Sequence, residues 1–282
     1  MILSFHPIIV ADKNIICAGR DPGPAEEDAI RKARAIILPQ GCRQSLYDMA
    51  TRHCSHVFPN YDTRFEYPGK IGQIRLFKEF NLPHPKTKTF SSLKEFYDKT
   101  GPLNDLSHFS IPFVFKFDWG GEGDNVFLID SKKSMDEVLT RAGRYEKTGQ
   151  HGFLIQEFIP AANRSLRVVC MGQKRISYWR LLTDPDQFIA SKSKGAVINK
   201  EDDPAKQKAG IELVDMLCKK TGINLAGIDI LFSETRKTDA PLLLEINYFF
   251  GRSGLGGSER FYELLNKEVK NWINRLYSGA NT

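Results

Sequence analysis

The chain has 282 residues, of which 41% are hydrophobic and 26% charged, and its formal net charge is +6. These values are ordinary for a globular protein and exclude a disordered or fibrous chain. No hydrophobic run approaches the roughly 20 residues that span a bilayer, and the N-terminus lacks the basic start and the small-residue cleavage site of a signal peptide. We therefore expect no membrane association.

The five cysteines are odd in number, widely spaced and without a CxxC motif. This usage predicts reduced thiols and a cytoplasmic location. The mild positive charge fits a site for a nucleotide or an acidic substrate, and it also fits nucleic acid. Because the basic residues are dispersed and no nucleic-acid-binding motif occurs, nucleic acid is disfavoured. The sequence says almost nothing about oligomeric state and leaves a homo-oligomer open.

In chain order, residues 1–68 alternate short hydrophobic runs with helical patterns, which predicts an N-terminal α/β domain with parallel strands. Residues 69–152 form a second predicted domain, in which a helix precedes the strand IPFVFKF, the glycine-rich turn DWGGEGD and the strand NVFLI. Two strands joined by such a turn predict a hairpin. The third predicted domain, residues 153–282, has several strands, a long helix from Asp203 and a final helix from Ser258.

Two polar residues end the hydrophobic run LLLEIN of the third domain. Glu245 and Asn247 are two residues apart, so on a strand their side chains lie on the same face. An acid and an amide side by side offer oxygen ligands to a hard cation such as Mg²⁺. The alternative is a strand end that becomes polar as it reaches solvent.

A lysine and a glycine-rich loop occur together in the second domain. Lys116 lies in the strand FVFKF, where an unpaired lysine is costly to bury, so it needs an anion unless its side chain reaches solvent. The loop after it contains Gly120, Gly121 and Gly123, whose backbone N–H groups could approach phosphates. Because a strand follows, the loop is no Walker A or Rossmann motif; it is either a flap over phosphates or a solvent turn.

Asp229 lies in the middle of the hydrophobic strand LAGIDIL. An ionised carboxylate there needs a cation or hydrogen-bond donors around it. If this strand neighbours that of Glu245 and Asn247, three oxygen ligands converge, which favours a metal site over a structural cap.

These motifs, in this order and approximate spacing, resemble the ATP-grasp superfamily, and most of all its RimK-like carboxylate-amine ligases. The resemblance covers roughly residues 68–276 and rests on Lys116 before GGEG, on QEFI, on AGIDIL and on LEIN. It implies an α/β protein of α+β lobes, with an ATP-grasp fold after a small N-terminal domain. It also implies an ATP- and Mg²⁺-dependent ligase, with one or two ions or Mn²⁺ in their place, that joins a carboxylate to an amine.

The resemblance further implies roles for individual residues. Lys70, Lys116 and the loop glycines would hold phosphates, and Arg180 would face the transferred phosphoryl group and the acceptor carboxylate. The basic residues near the acceptor suggest an anionic substrate. The implied residues are Gln156, Glu157, Phe158 and Ile159 for adenine, Asp229, Glu245 and Asn247 for metal, and Arg180 for the substrate, with Lys116 and Arg180 as catalytic groups. The charges of Lys192, Lys194 and Arg252, in the loops that face the acceptor, make them further candidates for substrate binding.

The chain departs from the family pattern at three places. Ser165 stands where an acid usually precedes Ile-Arg, and the loops at residues 191–195 and 248–252 differ from the usual ones. We therefore expect a substrate other than that of the familiar glutamate ligases. A small-molecule kinase and a nucleotide-binding regulator without turnover are the alternative functions. We also expect that replacing Glu245 or Asp229 abolishes ADP formation and leaves the fold intact.

Overall fold

The computed structural model describes residues 1–100, 111–121, 123–182, 196–235 and 240–278. These residues contain three β-sheets, which follow one another along the chain and are called here the N-terminal, middle and C-terminal sheets. None of the described helices has the length and apolar character needed to cross a membrane.

The N-terminal sheet is parallel throughout, in the order β2-β1-β3-β4. Leu3, Ile36, Leu46 and Tyr61 are buried in its core. The parallel α/β arrangement predicted for residues 1–68 is confirmed. Its elements are β1 (Ile2–Ser4), β2 (Lys13–Asn14), α1 (Pro24–Arg31), β3 (Ala35–Ile37), α2 (Gln44–His53), β4 (Val57–Phe58) and α3 (Asp62–Glu66).

The middle sheet is antiparallel, and it confirms the predicted hairpin because β6 pairs with β7 on either side of the glycine loop. Its order is β5-β8-β6-β7. An aromatic core lies under α5 and α6, where Phe115 stacks on Phe153 with ring centroids 4.8 Å apart. The elements are α4 (Gly69–Glu79), β5 (Thr87–Phe90), α5 (Leu93–Thr100), β6 (Phe113–Phe117), β7 (Val126–Ile129), α6 (Lys132–Glu146) and β8 (Phe153–Glu157).

The pairing of strand β8 is relevant to where the boundary between the second and third domains lies. It pairs with β5 and β6 and therefore completes the middle sheet. A division between residues 152 and 153 would separate β8 from both of its partners. We propose three domains with the second division placed after Glu157.

The C-terminal sheet is antiparallel, in the order β11-β10-β9-β12-β13. Side chains alternate between its two faces, so that one face packs with α4 and α7 and the other with α8. The edge strand β13 is thus close to α4. The elements are β9 (Arg164–Met171), β10 (Lys174–Leu181), β11 (Val197–Asn199), α7 (Pro204–Thr221), β12 (Leu225–Leu231), β13 (Leu242–Asn247) and α8 (Ser258–Ser278).

Candidate active site

A cleft with a volume of about 270 Å³ lies where the middle and C-terminal sheets face each other. Strands β6 and β8 and the glycine loop line it from the middle sheet, and β9, β10, β12 and β13 line it from the C-terminal sheet. Most of the site residues expected from the sequence are brought together there. They are Lys70, Lys116, Gly120, Gly121, Gly123, Gln156, Glu157, Phe158, Ile159, Arg180, Asp229, Glu245 and Asn247.

Lys116 is a buried cation with only a neutral partner. Its side chain extends from β6 and its Nζ donates a hydrogen bond of 2.7 Å to Gln156 Oε1, while Gln156 Nε2 donates to Thr87 Oγ1. Among the described residues no carboxylate forms an ion pair with it. Burial lowers the pKa of Lys116 to about 8, and the negative charges of Glu245 and Asp229 oppose this only in part. An anion in the cleft would raise this pKa again and so favour the charged form.

The glycine loop is tied to the start of α4. Lys70 Nζ donates to the carbonyl oxygen of Gly120 at 2.8 Å, and the Asp118 carboxylate accepts a hydrogen bond of 2.7 Å from the backbone N–H of Ile71. Gly120 has a φ of +87°, and a Cβ there would lie 2.5 Å from Asn125 Nδ2. Glycine is therefore required at Gly120, and Lys70 is placed beside the loop that it would help to close over phosphates.

The segment Gln156–Ile159 crosses from the middle sheet to the C-terminal sheet along the cleft. The backbone N–H of Glu157 donates to the Lys86 carbonyl at 2.9 Å, and the Glu157 carboxylate accepts from the backbone N–H of Lys86 at 3.3 Å. These bonds fix the segment at the end of β8. It forms an ordered apolar edge of the cleft through Phe158 and Ile159.

Asp229 is buried at 4% exposure and lies opposite both Arg167 and Glu245 in the sheet register. Arg167 donates to both of its carboxylate oxygens, Nη2 at 2.8 Å, and Arg180 Nη2 lies 2.7 Å from Oδ1. Asn247 Nδ2 adds a fourth donor at 3.2 Å. Burial by itself would raise the pKa of Asp229, but the charges of Arg167 and Arg180 outweigh it and hold the pKa below its usual value.

Glu245 has a different environment, although it is paired with Asp229 across the two strands. It is half-buried and lines the cleft. Within the described part of the chain its carboxylate has no hydrogen-bond or ion-pair partner. Asn247 uses its amide nitrogen on Asp229, which leaves its oxygen for the cleft.

The side-chain oxygens of Glu245 and Asn247 suit a divalent cation better than those of Asp229, because the Asp229 oxygens already accept hydrogen bonds from arginines. No group of three or more His, Cys, Asp or Glu side chains that could hold a metal occurs among the described residues. Mg²⁺, however, is commonly held by one or two carboxylates together with substrate phosphates. An ion bound in this way would need Glu245, Asn247 and a nucleotide.

Arg167 is the main site residue that the sequence analysis missed. It is 6% exposed, it lies between Leu166 and Val168 on β9, and it lines the cleft. The signal was present, because a charge within an apolar strand had already singled out Lys116 and Asp229. Arg180, its neighbour on β10, donates to Ser165 Oγ at 3.1 Å, and its buried Nε has no acceptor among the described residues.

Three of the expected substrate residues are not part of the described cleft. Lys192 and Lys194 lie outside the described residues. Arg252 is absent from the cleft lining, and its guanidinium packs over the rings of Phe261 and Tyr262 at 4.6 Å from each centroid. We therefore do not carry Arg252 forward as a substrate-binding residue.

Comparison with known proteins places this architecture in a family. Residues 71–264, more than half of the chain, match the RimK-like ATP-grasp domain. The chain therefore belongs to the RimK-like ATP-grasp family, and its ATP-grasp fold follows the small N-terminal α/β unit described above. No curated protein sequence matches the chain.

Solved structures share the fold at low sequence identity. A RimK-domain ATP-grasp protein from Sphaerobacter thermophilus DSM 20745 is 17% identical, with a TM-score of 0.60 over 86% of this chain and 81% of that chain. N5-carboxyaminoimidazole synthetase from Staphylococcus aureus, complexed with ADP, is 12% identical, with a TM-score of 0.62 over 90% of this chain and 65% of its own. VanG D-Ala:D-Ser ligase from Enterococcus faecalis is 15% identical, with a TM-score of 0.60 over 86% and 73%.

Proposed function

We propose that this protein is an ATP- and Mg²⁺-dependent ligase that joins a carboxylate to an amine through an acylphosphate and releases ADP and phosphate. One observation carries the proposal. A single cleft unites a glycine loop held by Lys70 with a buried lysine and an acid that, among the described residues, form no ion pair. Nucleotide phosphates with a divalent cation would satisfy all three.

Related proteins support the nucleotide part of this proposal. The synthetase from Staphylococcus aureus was solved with ADP, and the Enterococcus faecalis protein is named as a ligase of two amino acids. In the present chain, Gln156–Ile159 would receive the adenine, while Lys70, Lys116 and the glycine loop would hold the phosphates. The identities of the carboxylate and the amine are left to experiment.

The proposed reaction has two steps. An oxygen of the substrate carboxylate attacks the γ-phosphorus of ATP, the bond to the β–γ bridging oxygen breaks, and ADP leaves. The amine nitrogen then attacks the acyl carbon, phosphate leaves with the bonding electron pair, and the nitrogen loses a proton. Arg180 and Lys116 would stabilise charge on the transferred group, and no side-chain nucleophile is needed.

A divalent cation would supply further charge neutralisation at the phosphates. Glu245 and Asn247 are the residues that would hold it. Asp229 would contribute mainly by fixing Arg167 and Arg180, because its oxygens already accept their hydrogen bonds. This assignment differs in emphasis from the expectation of three equivalent metal ligands.

The test is ADP release, measured over a panel of paired carboxylates and amines with Mg²⁺ present. We expect release that requires both partners with at least one pair, and trapping of the acylphosphate by hydroxylamine as a hydroxamate. The Glu245→Gln protein serves as the control for a contaminating ATPase. ADP release to a hydroxyl acceptor without hydroxamate would instead indicate a small-molecule kinase.

A nucleotide-binding protein without turnover is the second candidate, and the arginine contacts of Asp229 favour it. With both oxygens of Asp229 engaged, a second cation would have to displace an arginine. ATP binding measured by calorimetry, together with no ADP release across the whole panel, is the result that would select this candidate.

A further inference from the structure

The strand that carries Glu245 and Asn247 is irregular at the point that matters for the site. Asp229 is paired with Glu245, but the next residue of β12, Ile230, is paired with Leu243. Leu244 is therefore an extra residue, a β-bulge directly before Glu245. Bulges change the direction of nearby side chains and are frequent beside active sites.

The position of this bulge decides which side chains of β13 face the cleft. Side chains alternate along β13, with Leu243 and Ile246 buried in the core and Glu245 and Asn247 lining the cleft. If the bulge moved by one position along the strand, the side chains that it passed would change faces. An acid would then enter the core and leave the cleft. A contact that fixes the backbone beside Glu245 would add to the pairing with β12 in opposing such a shift.

Gln73, on α4, makes that contact. Its side-chain Nε2 donates to the carbonyl oxygen of Ile246 at 2.8 Å, and its Oε1 accepts from the backbone N–H of Ile246 at 2.8 Å. Because β13 is the edge strand of its sheet, this side chain satisfies backbone groups that no further strand reaches. The two bonds define the position of the residue that lies between Glu245 and Asn247.

The same helix also holds the glycine loop. Lys70, one turn before Gln73, donates to the Gly120 carbonyl, and the backbone N–H of Ile71 donates to Asp118 at the base of the loop. Helix α4 thus contacts both the loop proposed to cover the phosphates and the strand proposed to hold the cation. Lys70 and Gln73 provide these two contacts from adjacent turns.

We propose that Gln73 is a positioning residue, which fixes the register of the bulged strand β13 so that Glu245 and Asn247 face the cleft as cation ligands. The inference rests on the proposed function, since it needs a divalent cation to bind there with the nucleotide. Gln73 itself contacts neither. It acts through the backbone of Ile246.

The test measures how much Mg²⁺ strengthens ADP binding, by isothermal titration calorimetry of the full-length protein with Mg²⁺ and with EDTA. We expect the Mg²⁺-dependent gain in affinity to fall by about tenfold in Gln73→Leu, because two hydrogen bonds are lost. Affinity in EDTA should stay within about twofold, since the lysines and Gln156–Ile159 are untouched. Gln73→Met, which is close to glutamine in size and uncharged but can form neither bond, should show the same loss.

A matched control exists at the opposite edge of the same sheet. Gln207, on α7, donates through Nε2 to the carbonyl oxygens of Lys200 and Asp202 and is as well bonded as Gln73. Gln207→Leu should retain the wild-type gain from Mg²⁺. An equal loss in this variant would show a general loosening of the sheet and would overturn the proposal.

The remaining outcomes separate the proposal from the proposed function. If the wild-type protein gains nothing from Mg²⁺, the proposed cation-dependent function fails, and this inference fails with it. If the wild-type protein gains affinity and Gln73→Leu keeps that gain within twofold, only the inference is overturned. An equal loss of affinity with and without Mg²⁺ also overturns it, because Gln73 would then be merely structural. Should the leucine variant not fold, Gln73→Met carries the same comparison.

Discussion

Two strands that face the same cleft each carry a buried charge, but among the described residues only one of these charges forms ion pairs. On β12, Asp229 receives hydrogen bonds from two arginines and an asparagine. On β6, Lys116 has the neutral oxygen of Gln156 as its hydrogen-bond acceptor. Lys116 is 8% exposed and Asp229 is 4% exposed. The protein therefore compensates one buried charge internally and leaves the other to be compensated by whatever enters the cleft.

This difference distinguishes a buried charge that stabilises the structure from a buried charge that binds a ligand. A buried ion that is already paired stabilises the fold only as long as its partners remain. Removing one partner leaves the other charges buried without compensation. A buried ion that lacks a counter-charge lowers stability in the free protein and strengthens the binding of an anion. On this view Asp229 orients Arg167 and Arg180, and the charge of Lys116 is available to bind the ligand.

The largest effect is expected for Asp229, the buried charge that is paired within the protein. Asp229→Asn leaves Arg167 and Arg180 without a carboxylate, and we expect the free energy of unfolding to fall by about 3–5 kcal/mol. Urea denaturation followed by circular dichroism measures it. This revises the expectation from sequence that the fold would stay intact, since the two arginine contacts could not be foreseen. A loss below about 1 kcal/mol would mean that the arginines find solvent or other acceptors.

Lys116 should show the opposite behaviour, with a defined dependence on pH. Its pKa in the folded protein is about 8, below the value of 10.5 expected when unfolded, so between these pH values the unfolded chain binds more protons. Stability must then rise with pH across this window, by up to about 3 kcal/mol. Below pH 8 the full cost of burying the charge is present.

The matched measurement for Lys116 uses Lys116→Met. The difference in unfolding free energy between wild type and variant cancels the titration of other groups and should grow in favour of wild type from about pH 8 to about pH 10.5. At pH 7 the variant should be at least as stable as wild type, with weaker ADP binding. Parallel pH profiles for the two proteins would contradict the proposed environment of Lys116.

The same comparison shows how far sequence can lead. Charges within apolar strands identified Lys116 and Asp229, because burial of a charge is a local feature of the pattern. The order of the motifs identified the family, which the domain match confirms. Short strands without a strong hydrophobic pattern were not foreseen: β5, with the sequence TKTF, depends on its pairing with β8.

Other features depend on contacts between distant parts of the chain. The pairing of Arg167 with Asp229 requires the register of β9 and β12, and the bulge at Leu244 requires that of β12 and β13. Gln73 is an ordinary helix residue until the edge of β13 lies beside it. Arg252 was selected for its charge and its place in the loop after β13, and its packing over two aromatic rings could not be inferred from either.

Glu245 extends the comparison. It is an acid that lines the cleft, but among the described residues it lacks the hydrogen-bond donors that contact Asp229. Glu245→Gln breaks no bond among the described residues, so we expect the unfolding free energy to change by less than about 1 kcal/mol. Mg²⁺-dependent ADP release should nevertheless fall by about 100-fold or more. Urea denaturation and a coupled ADP assay measure the two effects on one preparation. Destabilisation comparable to that of Asp229→Asn would show that the two acids are equivalent in the free protein.

The smallest effect is expected at Arg252, a cation that does not line the cleft and forms no ion pair within the part of the chain that the structure describes. Its guanidinium lies over Phe261 and Tyr262 and donates weakly to Ser258 Oγ at 3.4 Å. Arg252→Gln should lower stability by about 0.5–1 kcal/mol through the lost cation–π contacts. The KM of each substrate should be unchanged, since the side chain does not line the cleft. A severalfold rise in the KM of the carboxylate with an intact fold would return Arg252 to the binding site and show that the loop after β13 moves when substrate binds.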